Sequence, residues 1–172
     1  MKAATNILMF AVAVLFASIS MAQNSLALYV SDSGSAALTE VQGRTSLLVL
    51  AGGNDNGQAT SGNCVIAASL TSVEGGFKGN LFPVSKGINS YSEEQAQGKK
   101  INVESDSAAI VITDVDDVGV CALDNSLVNR YGKILLNDKK HKIVYSEMIG
   151  LAHANALSLF KKEKKEEAII GL

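Results

Sequence analysis

Ala108-Ala109-Ile110-Val111-Ile112-Thr113-Asp114-Val115 alternates along its length. Ile110 and Ile112 fall on one side, Val111 and Thr113 on the other. This is the two-residue period of a strand with two different faces. Turn formers bound the stretch: Ser105-Asp106-Ser107 precede it and Asp116-Asp117 follow it. A short strand between two turns sets the scale for the rest of the chain.

The same scale recurs in both directions. Residues 101–104 read as a strand, and 77–84 as the returning limb of a hairpin that turns at Glu74-Gly75-Gly76. Pro83, the one proline, sits at the end of that limb, where a missing N–H does least harm. Cys64, Ile66, Ala68 and Leu70 share one face of the strand before it; Val65, Ala67 and Ser69 share the other. Residues 46–51 (SLLVLA) are continuously apolar and fit a strand buried on both faces. Residues 26–31 and 36–41 complete the N-terminal series, closed by Asp32-Ser33-Gly34 and Gln42-Gly43-Arg44. Beyond Asp117, residues 118–123 and 127–136 read as two further strands. Seven to nine short strands with regular turns and no βαβ alternation predict an all-β fold, an antiparallel sandwich or small barrel.

Two segments interrupt the strands. Residues 52–62 form a long loop of turn formers containing Asn54-Asp55-Asn56. Residues 85–100 are polar, include Tyr91, and hold one helical turn that Ser92 caps with Gln95 three residues on. From position 143 the period changes. Val144, Met148, Leu151, Ala152, Ala156 and Leu159 recur at helical spacing, which predicts a C-terminal α-helix over 145–165.

The N-terminus reads as an export signal. Lys2 precedes the apolar run ILMFAVAVLFASI at 7–19, and Ser20-Met21-Ala22 offers small residues at the cleavage positions. The run is shorter than the about 20 apolar residues of a membrane span. The chain then divides into a signal (1–22), a β-rich domain (23–138) and a basic helical tail (139–172). An exported protein, periplasmic or secreted, is expected; no N-glycosylation sequon occurs, which favours a bacterial source. In such a compartment the two cysteines, Cys64 and Cys121, predict a disulfide.

Charge is uneven. Residues 23–138 carry seven Lys/Arg against thirteen Asp/Glu, a balance of −6; residues 139–172 carry seven Lys against four Glu, a balance of +3. The acidic body favours a basic protein partner by electrostatic steering. No basic stripe interleaved with aromatics occurs in the body, which argues against nucleic acid. The basic helix offers a contact for a membrane surface as well as a face to pack on the sheet.

The chain carries few signals of catalysis. Gly-x-Ser-x-Gly and His-Glu-x-x-His are absent. His141 lies among Lys139, Lys140 and Lys142, and His153 falls within the helical tail, so neither is expected to serve as a catalytic base. Asn54-Asp55-Asn56-Gly57 echoes a calcium loop, but Gly52 and Asn63 occupy the positions where Asp and Glu are required. No catalytic residue, metal site or cofactor is expected. Asp114, Asp116 and Asp117 read as turn residues; a carboxylate hydrolase would need one of them to meet Glu74 or Asp106 within about 10 Å.

Residues 121–131 (CALDNSLVNRY) resemble the closing hairpin of small exported bacterial β-domains, a group that includes periplasmic lysozyme inhibitors. The resemblance implies an inhibitor-type, non-enzymatic binding module and assigns no residue a role. The expected function is recognition of a macromolecular partner through loops held on a disulfide-tied scaffold, with Asn54, Asp55, Asn56 and Tyr91 as candidate contacts. The alternatives are the carboxylate hydrolase and an envelope-associated structural protein.

Overall fold

A computed structural model describes residues 24–51, 64–84, 90–117, 121 and 127–161. The expected export signal, the Asn54-Asp55-Asn56 loop and the lysine-rich end of the tail lie outside the described residues.

Eight strands form one closed antiparallel barrel in sequence order: β1 (Ser25–Ser31), β2 (Gly34–Val41), β3 (Arg44–Ala51), β4 (Cys64–Val73), β5 (Gly76–Phe82), β6 (Lys100–Ser105), β7 (Ala109–Val115) and β8 (Arg130–Lys133). Of the two expected architectures, the small barrel forms. A one-turn helix α1 (Glu93–Ala96) lies between β5 and β6, and α2 (His141–Lys161) follows β8. The barrel closes where Tyr29 pairs with Lys133 and Val30 with Gly132. β8 is shorter than the expected 127–136 strand. Cys121 sits in a bend; the rest of the strand expected at 118–123 lies outside the described residues.

Alternation fills the barrel. Cys64, Ile66, Ala68 and Leu70 of β4 point inward with Leu47 and Val49 of β3, Ile110 and Ile112 of β7, and Tyr29 and Tyr131. An eight-stranded barrel is about wide enough for its own side chains to fill. Here alanines stand beside two tyrosines, which accommodates a core poor in aromatics.

A second apolar cluster lies outside the barrel. Val144 and Met148 of α2 pack on Leu28, Ala37, Leu50, Val65 and Ala67, the outward residues of β1–β4. β3 is therefore buried on both faces, as its unbroken apolar run predicts: Leu47 and Val49 face the interior, Leu48 and Leu50 face the helix. The outward side of β5–β7 carries Lys78, Asn80, Glu104, Thr113 and Asp114, all exposed. Among the described residues no helix is long and apolar enough to cross a membrane.

Tight turns require particular backbone. Val41 pairs with Arg44, leaving a two-residue turn in which Gln42 (φ 52°) and Gly43 (φ 76°) both take left-handed conformations. That is the turn whose twist matches paired strands. Gly34 faces the β3 backbone, and a Cβ there would collide with the Leu50 carbonyl.

Candidate functional site at the loop-rich end of the barrel

The connections are sorted by barrel end. Two-residue turns at Gln42-Gly43 and Glu74-Gly75, and a three-residue turn at 106–108, join strands at one end. The other end carries the Asp32-Ser33 turn and all three long connections: 52–63, 83–99 and 116–129. The two segments expected to carry recognition, 52–62 and 85–100, thus leave the barrel at the same end. Long connections on a rigid frame are where binding residues concentrate.

This end is tied together. Cys64, at the start of β4, is disulfide-bonded to Cys121 in the 116–129 connection, with a Cα–Cα distance of 5.1 Å. The bond forms as the two-cysteine count predicts. Tyr91 donates its hydroxyl to the Asp116 carbonyl, while Lys100 N–H donates to the Asp116 carboxylate at 2.8 Å. Asn129 Nδ2 donates to Ser33 Oγ at 2.9 Å, linking the β8 entry to the β1–β2 turn. Leu127 is fully buried, and its carbonyl accepts the Tyr131 hydroxyl at 3.1 Å.

Tyr91 belongs to the closure of the barrel. Its side chain is buried within the interior cluster, with the Lys99 ammonium 5.0 Å from its ring centroid. Burial, then Asp117 and Asp116, push its hydroxyl up to about 12. A partner would meet the surface above this residue and not its ring.

That surface contains a cleft of about 580 Å³ between the end of β5 and α1. Leu81, Phe82 and Pro83 form its apolar side; Glu93, Glu94 and Gln97 form its polar side. Local sequence explains the placement. Ser92 Oγ accepts the Gln95 N–H at 3.2 Å and the Gln95 side chain accepts the Ser92 N–H at 2.9 Å, so the expected capping box forms. The cap fixes the first turn of α1 and leaves Glu93 and Glu94 exposed. Asp32 and Asp116 are also exposed on this end. An apolar floor beside two carboxylates suits a lysine or arginine, whose aliphatic stem packs while its charged head is paired. Sequence reasoning did not single out Glu93 and Glu94. The Ser92-x-x-Gln95 box was the available signal, since it places the two intervening carboxylates on a fixed turn.

Asp106 and Asp116, one of the carboxylate pairs that the hydrolase alternative allows, are not brought together. Asp106 and Asp116 flank β7, whose six steps span about 20 Å. Asp114 shares the side chain of Asn102 (3.2 Å) and Asp116 is held by Lys100 N–H. Asp106 accepts the N–H groups of Ala108 and Ala109, both at 2.7 Å, and pairs with Arg130 at 3.4 Å. The two backbone bonds, aided by Arg130, hold its carboxyl below the usual range. Asp114 lies within β7, and Asp106 and Asp116 hold the turns on either side of it, so Asp106 does not meet Asp114 or Asp116 as the hydrolase alternative would need.

A second crevice, of about 340 Å³ at the opposite end of the barrel, is lined by Glu74, Glu104, Asp106 and Arg130. The crevice under α2, lined by Leu26, Leu48, Phe82 and Met148, encloses about 30 Å³, far below the about 300 Å³ of a small-molecule pocket. Among the described residues no group of three or more His, Cys, Asp or Glu could hold a metal ion. His153 is exposed on α2, and His141 stacks on Tyr145 with ring centroids 6.1 Å apart.

No protein-family model, curated protein or solved structure matches this chain.

Proposed function

We propose that this is an exported, non-enzymatic binding module that recognises a basic protein through the loop-rich end of its barrel. The observation that carries this reading is the cleft between β5 and α1. It is lined by Phe82 and Pro83 together with Glu93 and Glu94. The module takes a projecting lysine or arginine of its partner there, while the acidic body steers the approach.

The partner class is a cationic protein met outside the cytoplasm, with a lytic enzyme of lysozyme type as the leading example. The Cys64–Cys121 bond supports life in an oxidising compartment, periplasmic or secreted. The apolar run at 7–19 and the small residues at 20–22 support delivery there in a bacterial cell. Binding titrations of the mature protein against a cationic lysozyme, with the E93Q/E94Q variant alongside, test the reading. The unmodified protein binds and the variant binds at least tenfold more weakly, as loss of a buried charge-assisted contact implies.

A further inference from the structure

The connection from β8 to α2 breaks two local rules within one short stretch. Leu135 and Leu136 are 63% and 87% exposed, although both are large aliphatic side chains. Lys139, Lys140 and Lys142 crowd the start of α2, whose first turn holds no acidic residue. A helix start is its positive end and favours carboxylates, so these cations oppose the helix dipole. Lys133 adds a fourth exposed ammonium at the end of β8.

The stretch is compact. Asp138 N–H donates to the Leu135 carbonyl at 2.9 Å, and His141 N–H to the Asp138 carbonyl at 3.0 Å. The Asp138 carboxylate accepts the Lys140 N–H at 2.8 Å. Two leucines therefore project from a tight turn whose border holds four lysines and one aspartate, a net charge of +3. Among the described residues the four lysines have no carboxylate partner. The Asp138 carboxylate caps this helix start but is one anion against four lysines, and places where a sequence breaks local rules are expected at functional sites.

We infer that the 133–142 turn is a docking surface for an anionic lipid bilayer. Leu135 and Leu136 enter the headgroup boundary, and Lys133, Lys139, Lys140 and Lys142 pair with lipid phosphates. Charge complementarity selects this occupant: an apolar tip alone anchors weakly, and a tip plus a polybasic border supplies the two signals that stable membrane contact needs. The opposition at the helix start is relieved when anionic headgroups approach it. The surface is separate from the acidic cleft, so an anchored protein keeps that cleft free.

Co-sedimentation with phosphatidylglycerol/phosphatidylcholine vesicles tests this, using the full mature chain. The protein binds these vesicles, releases on raising the ionic strength, and does not bind phosphatidylcholine alone. K139Q/K140Q/K142Q weakens binding about 100-fold, at about fivefold per lysine. L135S/L136S weakens it about tenfold per leucine. Both variants alter exposed side chains, and unchanged circular dichroism verifies their fold. The inference is overturned by absence of vesicle binding, by equal binding to neutral vesicles, or by association with an acidic protein alone. It is also overturned if binding survives in both variants and disappears only when Lys161, Lys162, Lys164 and Lys165 are replaced.

Discussion

The hydroxyl of Tyr91 donates to the backbone carbonyl of Asp116, and this bond joins the segment after β5 to the end of β7. The two residues lie 25 positions apart in the chain. Together with the disulfide it ties Tyr91 to Asp116 and Cys121 to the start of β4. Tyr91→Phe leaves the Asp116 carbonyl without this donor and lowers unfolding stability by about 1 kcal/mol. Tyr91→Ala also empties a buried site and costs about 3–5 kcal/mol. Urea unfolding midpoints at constant m-value measure both.

The same tyrosines set an alkaline limit. Burial raises the hydroxyl pKa of Tyr91 to about 12 and raises those of Tyr29 and Tyr131 as well. The folded state thus holds protons that the unfolded chain releases near pH 10. Their contribution is complete below pH 10 and is lost as pH rises toward 12 and beyond. A pH series of thermal midpoints declines above pH 10, together with a late tyrosinate absorbance step.

Breaking Cys64–Cys121 frees a long stretch of unfolded chain, the bonded residues being 57 apart. On the chain-entropy account the closure contributes about 4 kcal/mol. The Cys64→Ala/Cys121→Ala protein is therefore less stable by about 2–5 kcal/mol. Proteolysis within 116–129 accelerates more than proteolysis at the Gln42-Gly43 turn.

Gln42 holds a left-handed φ of 52° in a two-residue hairpin turn. Asparagine adopts that conformation more readily. Gln42→Asn stabilises the protein by about 0.5–1 kcal/mol, whereas Gly34→Ala, which drives a Cβ into the Leu50 carbonyl, destabilises it by about 1–3 kcal/mol. Parallel thermal denaturation of the two variants shows shifts of opposite sign.

Much of the barrel is legible in the chain because alternation survives where both faces have a use. In β4 the Cys64/Ile66/Ala68/Leu70 face lines the interior, and Val65 and Ala67 meet α2. Period alone does not say which face is inside. In β1 the aliphatic series Leu26, Leu28 and Val30 looks outward, Leu28 meeting the helix, while Tyr29 points in. Closure is less legible still, since β1 meets β8 through only two residue pairs distant in sequence.

Boundaries fail where side chains replace the ladder. Asn129 bonds Ser33 and the Arg130 N–H, which delays the start of β8. Asp138 accepts from Lys140 and His141, which starts α2 at His141 instead of 145. The lysines of 139–142 hide that start from hydropathy. The candidate site was half visible: its loops stood out by composition, but the cleft depends on α1 folding back against β5.

The most direct test of the central claim is a calorimetric titration of a cationic lysozyme into the mature protein at low and high salt, with E93Q/E94Q and K139Q/K140Q/K142Q compared. The account predicts saturable binding that salt weakens, that E93Q/E94Q reduces at least tenfold, and that the lysine variant does not weaken. No binding, or binding indifferent to Glu93 and Glu94, would contradict it.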